Sequence, residues 1–156
     1  MKLSFFLDKD DMIRNEFALE NKLTRYSKDC IIMLGNMAWN MGVLASLNIS
    51  NFDDLDTLTK PSVVTPSDII FSDYNSLTNE ITLYKDTILE HFLPNVPTRF
   101  SKYTNYNDAI YLLKLHEYFH YLQCTNFQSL AIFRLNCLNE IAAYSFSQKI
   151  SGISFE

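Results

Sequence analysis

The eighteen residues from Cys30 to Leu47 form the longest apolar run in the chain and hold Asn36 and Asn40 near the middle. A run of this length spans five turns of helix and is apolar nearly all round. That pattern belongs to a helix buried at the centre of a fold. It also stands at the lower edge of what crosses a bilayer, but two amides near its middle are costly there. The expectation is a soluble central helix with Asn36 and Asn40 satisfying polar groups inside the core. Ser27 is placed to cap it, with Asp29 favourable in the first turn. A chain of 156 residues is long enough to bury a sizeable core around such a helix. With 12 Phe and 9 Tyr, much of that core is expected to be ring packing.

The remaining elements follow from periodicity and punctuation. Residues 9–26 space Met12, Ile13, Phe17, Leu19 and Leu23 among charges of both signs, which predicts an amphipathic helix. Residues 48–67, with Pro61 and Pro66, read as a long loop. Ile69-Ile70-Phe71 and Ile81–Tyr84 are short β-prone runs around a turn-rich stretch, which predicts a hairpin. A helical turn over 87–92 is ended by Pro94 and Pro97. Caps at 105–107 open a helix to about Gln123. Thr125 with Gln128 fits a capping box for a last helix to about Lys149, ended by Gly152. The order α, α, β, β, α, α predicts an α+β fold.

Charge and cysteine usage narrow the function classes. The net charge is −5, with 13 Lys+Arg against 18 Asp+Glu and no basic block, which disfavours a nucleic-acid partner. Cys30, Cys124 and Cys137 are three thiols with no CxxC pair, read as buried core thiols in a reducing compartment. The N-terminal apolar stretch is too short for a signal-peptide core, so a cytoplasmic protein with no membrane partner is expected.

One motif carries chemistry: His116-Glu117-Tyr118-Phe119-His120. Histidines at i and i+4 lie one turn apart on one helical face, where both imidazoles reach a single metal. Glu117 lies beside them, where a carboxylate can take a proton from a water that the metal polarises. The chain has only three His, and two are here. Catalytic zinc takes three protein ligands. Beyond His120 the only acids are Glu140 and Glu156, and Glu140 sits in the apolar stretch Leu138-Asn139-Glu140-Ile141-Ala142-Ala143. A charged Glu there is unusual, and a metal would compensate its desolvation.

His116-Glu117-x-x-His120, nineteen intervening residues, then Asn139-Glu140, resembles the gluzincin zinc metallopeptidases. Glu140, Ala143 and Phe146 also resemble the Glu-x-x-Ala-x-x-Phe helix of minimal zincin-like domains of the ImmA/IrrE kind. The resemblance covers roughly residues 69–149. It implies one zincin-like domain over 1–156, with N-terminal helices over 1–50 and a catalytic core over 68–150. In that core a small sheet or hairpin packs on the HExxH helix, and Ile81–Tyr84 is expected at the sheet edge, where an extended peptide adds as a strand. The resemblance further implies Zn2+ held by His116, His120 and Glu140, with Glu117 as general base acting on a peptide or protein substrate.

The departures are specific. Gln123 and Asn126 exclude the metzincin pattern. Where thermolysin-like enzymes place an Asp that supports a zinc His, this chain has Tyr144, whose hydroxyl is expected to accept the imidazole N–H instead. Only sixteen residues follow Glu140, so the large C-terminal subdomain of thermolysin-like enzymes is not expected. An oxyanion donor must come from elsewhere, with His91, Tyr121 and Tyr144 as candidates. The sequence thus points to zinc-dependent peptide hydrolysis. The alternative is a zincin-fold binding or regulatory module without turnover.

Overall fold

The computed structural model describes residues 3–62, 69–125 and 133–152. It is α+β: mostly helical, with one small mixed sheet. The principal elements are α1 (Lys9–Leu19), α2 (Lys28–Asn48), β1 (Asp56–Lys60), β2 (Ser72–Asn75), β3 (Glu80–Tyr84), α3 (Lys85–Thr87), α4 (Tyr106–Thr125) and α5 (Asn136–Ser151). The layers run from the sheet to α4, from α4 to α5, and from α5 to α2 and α1. The N-terminal helices therefore cover the far side of the HExxH helix through α5.

Local chemistry sets the helix ends. Ser27 Oγ accepts from Cys30 N–H at 3.2 Å, the expected cap of α2. α1 stops at Leu19 rather than near residue 26, because Asn21 takes φ 55°. Its N–H bonds Ala18 O, and the Lys22 N–H bonds Phe17 O, a Schellman ending with Asn in place of Gly. Gly152 ends α5 at φ 78°. Thr125 does not open a helix: it is the last residue of α4, and its hydroxyl donates to Tyr121 O. The expected capping-box partner Gln128 lies outside the described residues.

The strand order is β1-β3-β2, with β1 parallel and β2 antiparallel to β3. β1 falls inside the stretch expected to be loop. It is exposed along its whole length, so no buried face marks it in the sequence, and its order comes from main-chain pairing with β3. The hairpin forms, but its first strand is Ser72–Asn75, three residues later than expected. Phe71 O still accepts from Tyr84 N–H at the strand end. β3 is central and paired on both sides, so the edge beside α4 is β2, not Ile81–Tyr84.

Rings fill the core as composition requires: Phe5, Phe17, Phe71, Phe92, Phe119, Tyr144 and Phe146 are all fully buried. α2 reaches α5 through its small residues. A Cβ on Gly42 would stand 2.0 Å from Ala142 O, and Ser145 Oγ donates to Trp39 O at 2.8 Å across the same contact. α2 is not buried all round, however. Met33, Met37, Asn40, Leu44 and Leu47 are exposed on one stripe, so Asn40 has no core role, and Asn36 is only half-buried. By length and apolar content α2 is a helix that could cross a membrane, with its other face packed on α5 and α1. Of the thiols, only Cys137 is buried; Cys124 is exposed, which corrects its expected place in the core.

Candidate metal centre

α4 carries His116, Glu117 and His120 towards α5, and α5 returns Glu140 against them. His116 Nε2 lies 2.9 Å from Glu140 Oε2, and His120 Nε2 lies 3.0 Å from Glu140 Oε1. The two Nε2 atoms are 3.4 Å apart. The donor atoms of the three residues all fall within 4.8 Å of one another. Two ligands about 2.0–2.1 Å from a tetrahedral zinc stand roughly 3.3 Å apart, so the imidazole pair already has the spacing such an ion needs. Two imidazoles and a carboxylate are also an ordinary zinc donor set. The residues fit the metal.

The electrostatics agree. His116 is fully buried, and burial lowers its pKa, although the Glu140 and Glu117 carboxylates pull the other way. Burial also opposes charge on His120. There the charge and hydrogen bond of Glu140, with Glu117 and Gln123 adding, win and raise the pKa to about 9. Burial alone would raise the Glu140 carboxyl, but His120 and then His116 hold it well below its ordinary value. Without metal, the carboxylate and a charged His120 neutralise each other.

A supporting chain of amides stands behind His120. His120 Nδ1 lies 3.2 Å from Gln123 Oε1, Gln123 Nε2 donates to Asn139 Oδ1 at 3.0 Å, and Asn139 holds both N–H and C=O of Phe133. With Nδ1–H donated to Gln123, the Nε2 lone pair is left free to face the point where the three donors converge. The sequence carried a signal for this chain: Gln123 is one turn past His120, and Asn139 adjoins Glu140.

His116 is held differently. Its Nδ1 is buried without a hydrogen-bond partner among the described residues. The Tyr144 hydroxyl does not take up that role: it donates to Glu16 Oε1 at 3.0 Å and lies 3.2 Å from Ser4 Oγ. Tyr144 meets His116 through its ring, with centroids 4.7 Å apart. Glu16, itself buried, also accepts from Ser4 Oγ.

The other two candidates stand outside the centre. The Tyr121 hydroxyl donates to Asp53 Oδ2 at 2.9 Å, and the Tyr118 hydroxyl accepts from Asp53 N–H at 2.8 Å, so both pin the loop before β1 to α4. His91 is exposed after the sheet, with Glu90 4.0 Å away. Neither Tyr121 nor His91 lines the cleft.

The cleft itself is about 300 Å³. Glu117, His120 and Glu140 form one wall, and Ser72, Asp73 and Tyr74 of β2 form the other. Glu117 Oε1 lies 3.6 Å from His116 Nε2. The Asp73 carboxylate is fixed by the Tyr84 hydroxyl at 2.6 Å. Asn136 completes the lining one turn before Glu140, an i, i+4 relation legible in the sequence but missed there. No Lys or Arg lines the cleft among the described residues.

Comparison with family models, with curated proteins and with solved structures returns no match for this chain. The site's own chemistry therefore carries the functional argument.

Proposed function

We propose that this protein is a zinc-dependent peptidase of zincin-like type, hydrolysing a peptide bond in a peptide or protein substrate. The observation that carries the reading is the convergence of His116, His120 and Glu140 on one point, with Glu117 on the wall of the same cleft. Bound zinc would supply a Lewis acid for the scissile carbonyl and lower the pKa of water towards ~7. Glu117 takes the proton of the attacking water and returns it to the leaving amine. Gln123 and Asn139 hold His120 in the ligating tautomer. β2, whose outer edge is unpaired among the described residues, supports the reading of an extended peptide lying along the cleft.

A second reading, a zincin-fold module that keeps the metal without turnover, is favoured by the Nδ1 of His116, which has no partner among the described residues. An enzyme that ligates with this histidine would ordinarily anchor the second ring nitrogen. The two readings separate on a mixed peptide library incubated with zinc-loaded protein. The peptidase reading expects new N-termini that vanish with a chelator and return with added zinc. Bound zinc with no cleavage anywhere in the library supports the silent module.

A further inference from the structure

Behind the segment that brings Glu140 to the metal centre lies a second, larger cavity of about 640 Å³. Lys22, Arg25 and Arg134 line it, and no acid does among the described residues. That is three of the 13 Lys+Arg in a chain with net charge −5. Their side chains make no ion pair or hydrogen bond among the described residues, although 18 acids are available. Glu16 is engaged elsewhere, accepting from Ser4 and Tyr144.

The cations are set on fixed backbone. The Schellman turn after α1 places Lys22, and Arg25 N–H bonds Lys22 O. Arg134 follows Phe133, whose N–H and C=O are both clamped by Asn139. Leu34, Leu135 and Leu138 make the pocket floor apolar, and the Tyr26 hydroxyl, with no partner among the described residues, adds a donor. Along 134–140 the side chains sort to two sides: Asn136 and Glu140 to the metal cleft, Arg134, Leu135 and Leu138 to this pocket. The pocket is thus distinct from the metal centre.

We propose that this pocket is a binding site for an amphipathic anion: a phosphate or carboxylate head held by Arg25, Arg134 and Lys22, with an apolar tail over the three leucines. Guanidinium forks match both head groups, and the volume falls in the range of small-molecule sites, roughly 300–1,000 Å³. The proposal does not depend on zinc or on peptidase activity.

The test is calorimetric titration of the full chain, without added metal, using octyl phosphate below its micelle threshold, inorganic phosphate and octanol. One saturable site is expected for octyl phosphate, at least tenfold tighter than for either of the other two. Arg25→Gln and Arg134→Gln, both at exposed positions, should each weaken it roughly tenfold, as loss of a charge-assisted bond does. Raised salt should weaken it further. Octanol or inorganic phosphate binding as tightly as octyl phosphate would overturn the proposal. So would equal binding by a folded Arg25→Gln/Arg134→Gln protein, or no binding at millimolar octyl phosphate. Sedimentation with phosphatidylglycerol vesicles in the absence of binding to soluble octyl phosphate would assign the cations to a membrane surface and reject the pocket.

Discussion

The Gln123 side-chain amide donates to the Asn139 carbonyl 3.0 Å away, and that bond ties the helix of the two histidines to the helix of Glu140. Gln123 also faces His120 Nδ1, so one buried amide orients the His120 ring and holds the two helices in register. Replacing Gln123 with Met keeps the volume and removes both bonds. Zinc affinity should fall about 10–100-fold, the usual cost of losing such a supporting partner. A competition titration against a chromophoric chelator measures it, and unchanged affinity would show that the amide chain does not orient His120.

Tyr144 supplies a contrasting case, because its ring touches His116 while its hydroxyl serves Glu16. Tyr144→Phe should leave zinc affinity within about twofold. It should destabilise the fold by about 1–3 kcal/mol, the cost of depriving a buried polar group of a partner. Urea unfolding beside the zinc titration separates the two effects. A large loss of zinc affinity with unchanged stability would mean that the hydroxyl supports His116 after all.

The contact of α2 with α5 predicts a penalty for the smallest possible substitution. Gly42→Ala would gain roughly 1 kcal/mol of helix propensity in isolation. Its Cβ would meet Ala142 O at 2.0 Å and Ser145 Oγ at 1.9 Å, so α5 must shift. Overpacking of that kind costs about 1–3 kcal/mol, and net destabilisation is expected. A thermal midpoint at or above wild type would contradict the close approach.

Stability of the metal-free protein should depend on pH through His120. Its folded pKa of about 9 exceeds the ordinary 6.5, so its contribution is complete below 6.5 and lost as pH rises towards 9. Glu140 is held low, so its contribution persists above its ordinary 4.5 and is lost only as pH falls towards its lower folded value. His116, with a lowered pKa, acts in the opposite sense to His120 and weakens the fold below about 6.5. Urea midpoints without metal should therefore decline between pH 6.5 and 9, and His120→Gln should remove that decline. Because zinc must displace the His120 proton, its apparent affinity should rise through the same range. A decline of equal size in His120→Gln would place its origin elsewhere.

The site was more legible than the sheet, for a physical reason. Metal ligation demands residue types that are scarce here, and helical spacing fixes where they point, so His116, His120 and Glu140 could be named as one group from the chain alone. β1 left no such mark, because Asp56–Lys60 buries no side chain and owes its order to the main chain of β3. β2 was displaced for a related reason. Ile69-Ile70-Phe71 has the β-forming side chains, yet the ladder runs through Ser72–Asn75, whose polar residues face the cleft. The stripe Met33–Leu47 shows the converse, since an all-round apolar sequence does not say which face its neighbours will cover. The resemblance put the Tyr144 hydroxyl on a histidine N–H, but only its ring meets His116, and nothing near it in sequence could show that Glu16, 128 residues earlier, takes the hydroxyl.

Glu117 separates peptide hydrolysis from metal binding alone, because it lines the cleft beside the His116, His120 and Glu140 cluster without belonging to it. Glu117→Gln keeps shape and hydrogen-bonding reach but removes the base. The decisive measurement is the cleavage rate of a library-selected peptide by wild type and Glu117→Gln, each with zinc content determined by elemental analysis. One zinc per chain is expected in both proteins, with a rate lower by about 10²–10⁴ in the variant, the usual effect of losing a general base. Equal rates from two proteins that both hold zinc would contradict the peptidase reading.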